Sequence, residues 1–287
     1  MIYIITSLLA ISFGFGTEYK TETNKTNLNK YEIDVIYGHK DGMALTYDII
    51  KPKKHNGSAV ICMVSFRWKS KWMHPEIVLL PTNPWTPILT NLLKEGFQLY
   101  LVRHGSSPKY NIPECAKDVR EAAVHIKENA KKNNIDHNKI FTMGISAGAH
   151  LSLLLATDPD PIVSGCIGLC PPTIMRDVQQ FKDTEPAFDY DASLNESMSP
   201  ALRINKNTPP VLIFQGDKDT IVIPDHGYEF KKEMEKKQRD VELIIIKDAT
   251  HYFTKDQLKY IQIKTIRWIK EKEDSIRKKT NDRDHSE

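Results

Sequence analysis

Apolar and polar residues alternate along "YEIDVIYG" (31–38) and "MALTYDIIKP" (43–52), and between them lies "HKDG". Alternation with period two marks half-buried strands, and Asp41-Gly42 is a hairpin turn signal. Beyond residue 52 the pattern changes. Six short runs are almost wholly apolar: "AVICMV", "FQLYLV", "KIFTMGI", "GCIGLC", "PVLIFQ" and "ELIIIK". Such runs are too short for helices and fit strands covered on both faces of a parallel sheet. Between and after them come stretches of helical period. They are "IPECAKDVREAAVHIKENAKKNN", with Pro113 at its start, "AGAHLSLLLAT", "PDHGYEFKKEMEKKQ" and "QLKYIQIKTIRWIKEKE". A hairpin followed by alternating strands and helices predicts one α/β domain over residues 31–270. Its sheet is doubly wound and mostly parallel, with an antiparallel N-terminal hairpin. The connection between "GCIGLC" and "PVLIFQ" is long, about forty residues. It is either a lid or substrate loop or a packed helical insertion.

The flanks read differently. Residues 1–16, "MIYIITSLLAISFGFG", carry no charged side chain, which suits a signal peptide cleaved after Gly16 and a secreted or periplasmic protein. The missing Lys or Arg at the start counts against this, and membrane attachment is expected only if the leader is uncleaved. Residues 17–30 read as a flexible linker and 271–287 as a charged, solvated tail. With 40% apolar residues, 27% charged residues and a net charge of +3, the chain is an ordinary globular protein. Its basic residues are scattered, so no nucleic-acid partner is expected. Cys62, Cys115, Cys166 and Cys170 read as buried structural residues. Cys166 and Cys170 on one strand would lie roughly 13 Å apart, too far for a disulfide. Asn24, Asn56 and Asn195 stand in Asn-x-Ser/Thr sequons.

Candidate chemistry centres on "IFTMGISAGAHL" (140–151). Ser146 falls on the turn between a buried strand and a helix, with Gly144 and Gly148 where the two backbones approach. That is the geometry of a nucleophile elbow, and it places the next amide at a helix N-terminus. A serine hydroxyl needs a base, and the base needs an acid. "VLIFQGDKDTIVIP" ends a strand with a turn carrying Asp217 and Asp219, and "ELIIIKDATHYF" ends the last strand with His251. The order Ser, Asp, His suits this architecture. Asp219 is assigned as the acid from its place inside the turn, with Asp217 as the alternative. His150, one turn past the serine, is expected to pack or to bond nearby backbone. His74, His104 and His226 are candidates to line a pocket or merely to cap and cover the surface.

Taken together, these segments resemble the α/β-hydrolase superfamily, in its carboxylesterase branch near acetyl-xylan and feruloyl esterases and prolyl-oligopeptidase-like hydrolases. The resemblance spans roughly residues 31–270. It implies ester hydrolysis through an acyl-serine intermediate with catalytic Ser146, Asp219 and His251, and no metal or organic cofactor. It also implies an oxyanion hole built from backbone amides, those of Ala147 and of Phe66 or Arg67. Here the sequence departs from the family. "VSFRWKS" stands where a glycine-rich cradle is usual, so the site is either slowed or served by the Arg67 side chain. Small acyl esters on a carbohydrate or small molecule are the expected substrates, with Trp68 and His104 as pocket residues and Trp72 and Trp85 nearby. Alternatives are a weakened or inactive hydrolase-fold binding protein and a small serine peptidase.

Overall fold

The computed structural model describes residues 30–176 and 184–284. The expected signal peptide, nearly all of the linker and Asn24 lie outside the described residues. The chain opens with a hairpin of β1 (Lys30–Lys40) and β2 (Met43–Lys51). Asp41 and Gly42, at φ 48° and 79°, make its two-residue turn. Then follow β3 (Ala59–Met63), α1 (Pro75–Val78), α2 (Thr86–Lys94), β4 (Gln98–Val102), α3 (Ile112–Glu128), β5 (Ile140–Ile145) and α4 (Ala147–Ala156). β6 (Gly165–Leu169), α5 (Pro200–Arg203), β7 (Val211–Gly216), α6 (Asp225–Lys236), β8 (Val241–Ile246) and α7 (Lys255–Asp284) complete the domain.

The eight strands form one sheet in the order β1-β2-β4-β3-β5-β6-β7-β8. β1 and β2 run antiparallel to their neighbours, and β4 through β8 are parallel. All six apolar runs are therefore strands, each within a residue or two of its expected limits. Strands β3, β4, β6 and β7 are buried along their whole length, as continuous apolar runs require. One face of the sheet packs on α3, α4 and α6 through residues such as Val119, Leu151 and Phe230. The other packs on α2 and α7 through Ile88, Leu92, Ile261 and Trp268. Crossovers to both faces leave the carboxyl ends of β5 to β8 side by side on one edge, where a doubly wound sheet binds ligands.

Two segments differ from expectation. The C-terminal tail is helical: α7 continues to Asp284, past residue 270. Ile276 packs against the core, Ser58 donates to Glu273, and Lys272 pairs with Asp240 at 2.6 Å. Its mixed charges thus form the outer face of a docked helix. The described part of the long connection is short turns, Pro186–Phe188 and Ala192–Asn195, and the four-residue α5. Ile174, Met175, Ala187, Phe188, Ala201 and Ile204 are all buried there. Of the two readings of this excursion, its described residues fit the packed insertion.

Candidate active site

Ser146 sits between β5 and α4 with φ 50° and ψ −122°, a conformation a side chain rarely accepts. Its amide donates to the Leu169 carbonyl of β6 at 2.8 Å, and its carbonyl accepts from His150 N at 2.9 Å, so the strained residue is held from both sides. The flanking glycines have a steric cause. A Cβ on Gly144 would lie 2.3 Å from the carbonyl carbon of Gly148. Gly144→Ala should therefore push α4 off β5 and lower unfolding free energy by about 1–3 kcal/mol. Urea unfolding measures this, and an unchanged midpoint would mean that the turn has slack.

Asp219 and His251 come from the two neighbouring loops. Gly216 ends β7, and a Cβ there would lie 2.4 Å from the Ala249 carbonyl. Without that side chain the loop after β8 closes on the Asp219 turn, and Lys218 N donates to Ala249 O at 2.9 Å. His251 Nδ1 then lies 2.7 Å from Asp219 Oδ2, with the two residues only 5% and 3% exposed. Asp219 Oδ1 accepts from the amides of Ile221 and Val222, each at 2.9 Å. Burial disfavours the ionised carboxyl, but the His251 hydrogen bond and charge and the two amides outweigh it and lower its pKa. Asp217 is exposed at the surface. The structure thus joins His251 to Asp219 rather than to Asp217. Ser146 stands half-buried on the same edge, and among the described residues no hydrogen bond joins its hydroxyl to His251. Such contacts often tighten only around bound substrate.

Cys170, read from the sequence only as a buried structural residue, follows β6 at this edge with φ 47°. Its thiol is buried with its sulfur within 4.8 Å of an Asp219 carboxylate oxygen. Burial first, and then the carboxylate's charge, hold its pKa well above the usual value. All four cysteines are free and buried.

The oxyanion loop departs from the sequence reading at two points. Phe66 and Lys69 exchange backbone hydrogen bonds at 2.9 Å in both directions, closing a two-residue turn over Arg67 and Trp68 at φ 50° and 55°. The Phe66 amide is spent in that turn. Arg67 and Ala147 are the two expected positions whose amides no such bond occupies. Nor does the Arg67 side chain face a developing charge: its guanidinium pairs with the buried carboxylate of Glu185 in the long connection. Trp68 is 6% exposed, edge-on to Phe188 and His150, so its faces cannot stack on a sugar. His104 is buried with Nδ1 against the Gly105 carbonyl at 2.6 Å, and burial lowers its pKa. Neither forms an open pocket wall. Trp72 is exposed and Trp85 half-buried, packed toward the α2 side. His74 caps α1, and His226 bonds to Thr173.

Two non-glycine residues in left-handed conformations, Arg67 and Trp68, cost about 1–2 kcal/mol each, so the turn needs support. Glu185 supplies it through Arg67, and His150 supplies it through Trp68. The Trp68 indole N–H donates to His150 Nδ1 at 3.1 Å, which leaves the imidazole proton on Nε2, 2.8 Å from the Met198 carbonyl. His150 is thus a buried neutral link whose pKa burial lowers to about 4. Because the unfolded group takes up a proton near pH 6.5 and the folded one does not, stability should fall as pH drops from 6.5 toward 4. The loss attributable to this group is about 3 kcal/mol. Urea unfolding of wild type and His150→Gln at pH 7 and 4.5 tests this: the variant should lose less with acid, and parallel losses would refute it.

A doubly wound sheet with a serine elbow after β5, an acid after β7 and a histidine after β8 defines the α/β-hydrolase fold. The "Prolyl oligopeptidase family" model matches residues 113–274, more than half of the chain, and the chain belongs to that family. A model for the family designated BD-FAE matches residues 47–164. Among curated proteins, Esterase LipC of Mycobacterium tuberculosis is 24% identical over 57% of this chain and 50% of its own. Endo-1,4-beta-xylanase B of Butyrivibrio fibrisolvens is 28% identical over 50% of this chain and 25% of its own. The chain thus spans half or less of the length of these relatives. Among solved structures, a truncated carbohydrate esterase from gut microbiota has a TM-score of 0.67 at 19% identity, covering 86% of this chain and 98% of that one. Apo esterase 2 of Thermogutta terrifontis has a TM-score of 0.68 at 19% identity, over 83% and 92%. At such identities these structures share the fold.

Proposed function

We propose that the protein is a serine carboxylesterase that removes small acyl groups from carbohydrate or small-molecule esters through an acyl-serine intermediate. The observation that carries this reading is the 2.7 Å contact between His251 Nδ1 and Asp219 Oδ2, on the sheet edge that presents Ser146. With its Nδ1 proton directed at the carboxylate, His251 has the lone pair of Nε2 available to take the Ser146 proton. Ser146 Oγ attacks the ester carbonyl, and Asp219 stabilises the imidazolium that results. The amides of Ala147, at the N-terminus of α4, and Arg67 face the developing oxyanion. His251 then protonates the departing alcohol, activates a water, and returns the proton to Ser146 as the acid leaves. Carbohydrate as the alcohol partner is supported by the names of two relatives, a carbohydrate esterase and a xylanase. The apolar leader supports export to the periplasm or the medium. A fluorescent serine-directed phosphonate is the test. Covalent labelling that maps to Ser146 and disappears on prior denaturation is expected, and an unlabelled folded protein would refute the reading.

A further inference from the structure

Cys170, Asp219 and His251 each offer one ligating atom within 4.8 Å of those of the other two, and all three side chains are buried. Among the described residues this is the one group of three such side chains so arranged. A thiolate, an imidazole nitrogen and a carboxylate oxygen are the donor set of a zinc site with a vacant fourth position. The surrounding shell is suited to it. Ile221 and Val222 amides fix Asp219 Oδ1, which aims Oδ2 at His251, and Gln215 Nε2 lies 3.3 Å from Oδ2. Cys170 is held in register by its own amide, which donates to the Phe214 carbonyl at 2.8 Å.

We propose that the site is an inhibitory one for zinc or another thiophilic divalent cation, which replaces the proton shared by His251 and Asp219 and takes Cys170 as its third ligand. The proton balance is simple. The thiol proton is released to solvent. The Nδ1 proton of His251 gives way to the metal, and the neutral imidazole keeps its one proton on Nε2. That tautomer has no lone pair facing Ser146, so the metal switches off the base without touching the serine. Donors held about 2.0–2.3 Å from a tetrahedral zinc stand roughly 3.3–3.6 Å apart. The 2.7 Å His251–Asp219 contact must therefore open somewhat to admit the ion, and the Cys170 sulfur, within 4.8 Å of both, must draw in by no more than about an ångström. Inhibition presupposes the esterase reading above, whereas metal binding does not.

The full chain is titrated with zinc chloride while p-nitrophenyl acetate hydrolysis is followed, and EDTA is then added. In parallel, cobalt chloride is added and the near-ultraviolet thiolate-to-cobalt absorption is recorded. Cys170→Ala and Cys170→Ser accompany the wild type, the serine variant keeping a polar side chain of similar size beside Asp219. Wild type should lose activity reversibly and show the cobalt band. Both variants should lack the band and need at least about tenfold more zinc for half-inhibition of their own basal rates. Equal zinc sensitivity in all three proteins, or a cobalt spectrum without the thiolate band in the wild type, would overturn the proposal. A band in wild type alone, on a chain without hydrolytic activity, would keep the metal site and sink the esterase reading instead.

Discussion

Ser146→Ala is expected to bring p-nitrophenyl acetate hydrolysis down to the buffer rate, a loss on the order of 10⁵–10⁶-fold in kcat. The magnitude follows from how the serine is held. Its backbone, at φ 50°, is bonded to β6 on one side and to α4 on the other, and both glycines beside it are sterically required. Alanine takes the same backbone conformation at no greater strain, so the variant should fold and melt like the wild type. Only the nucleophile is lost. On the proposed mechanism, the residual rate comes from the amides of Ala147 and Arg67, which the substitution leaves in place. Matched melting curves with unequal rates would establish Ser146 as the nucleophile. Equal rates in the two proteins, above buffer, would place the chemistry elsewhere.

Asp219→Asn should cost on the order of 10⁴-fold in kcat, and the hydrogen bonds around the carboxylate say why. The position of Oδ1 accepts two backbone amides, from Ile221 and Val222, and only the carbonyl oxygen of an asparagine can occupy it. The NH₂ group must then stand where Oδ2 was, 2.7 Å from His251 Nδ1, and it must donate. The histidine can accept only by moving its own proton to Nε2, which is the wrong side for Ser146. Asp217→Asn, at the exposed end of the same turn, should leave the rate within about twofold, as surface substitutions usually do. Steady-state kinetics of the two variants decides the assignment, and a larger loss at Asp217 would reverse it.

Much of this fold is written in the sequence because strands buried on both faces must be almost continuously apolar. Six such runs, a type I′ turn signal at Asp41-Gly42 and the helical period of α3 set the topology. The segment of α2 has no such clarity. Pro84 precedes it and Pro87 stands in its first turn, no side chain caps its start, and it is held by packing of Ile88, Leu89, Leu92 and Leu93 on the sheet. The helical end of α7 was equally hidden, since its charged composition reads as solvated until Ile276 is seen against the core. At the site, chain order and strand ends pointed to Ser146, Asp219 and His251. Cys170 carried no signal, because its place beside Asp219 depends on β6 lying next to β7 and on a left-handed backbone. The closed Phe66–Lys69 turn was also illegible. Its central residues, Arg67 and Trp68, are among the last that turn chemistry would choose.

The two ties from that turn, Arg67 to Glu185 and Trp68 through His150 to Met198, bind it to the long connection at points thirteen residues apart. A connection fastened there cannot swing aside as a gate without releasing the strained backbone of Arg67, whose amide the proposed mechanism directs at the oxyanion. If the proposed mechanism holds, turnover is linked to the fit of this insert, and changes there should register in kcat before they register in KM. For protein engineering the unit of exchange follows directly. An insert grafted from a relative will support catalysis only if residues 66–69, Glu185, His150 and the carbonyl of residue 198 travel as one cassette.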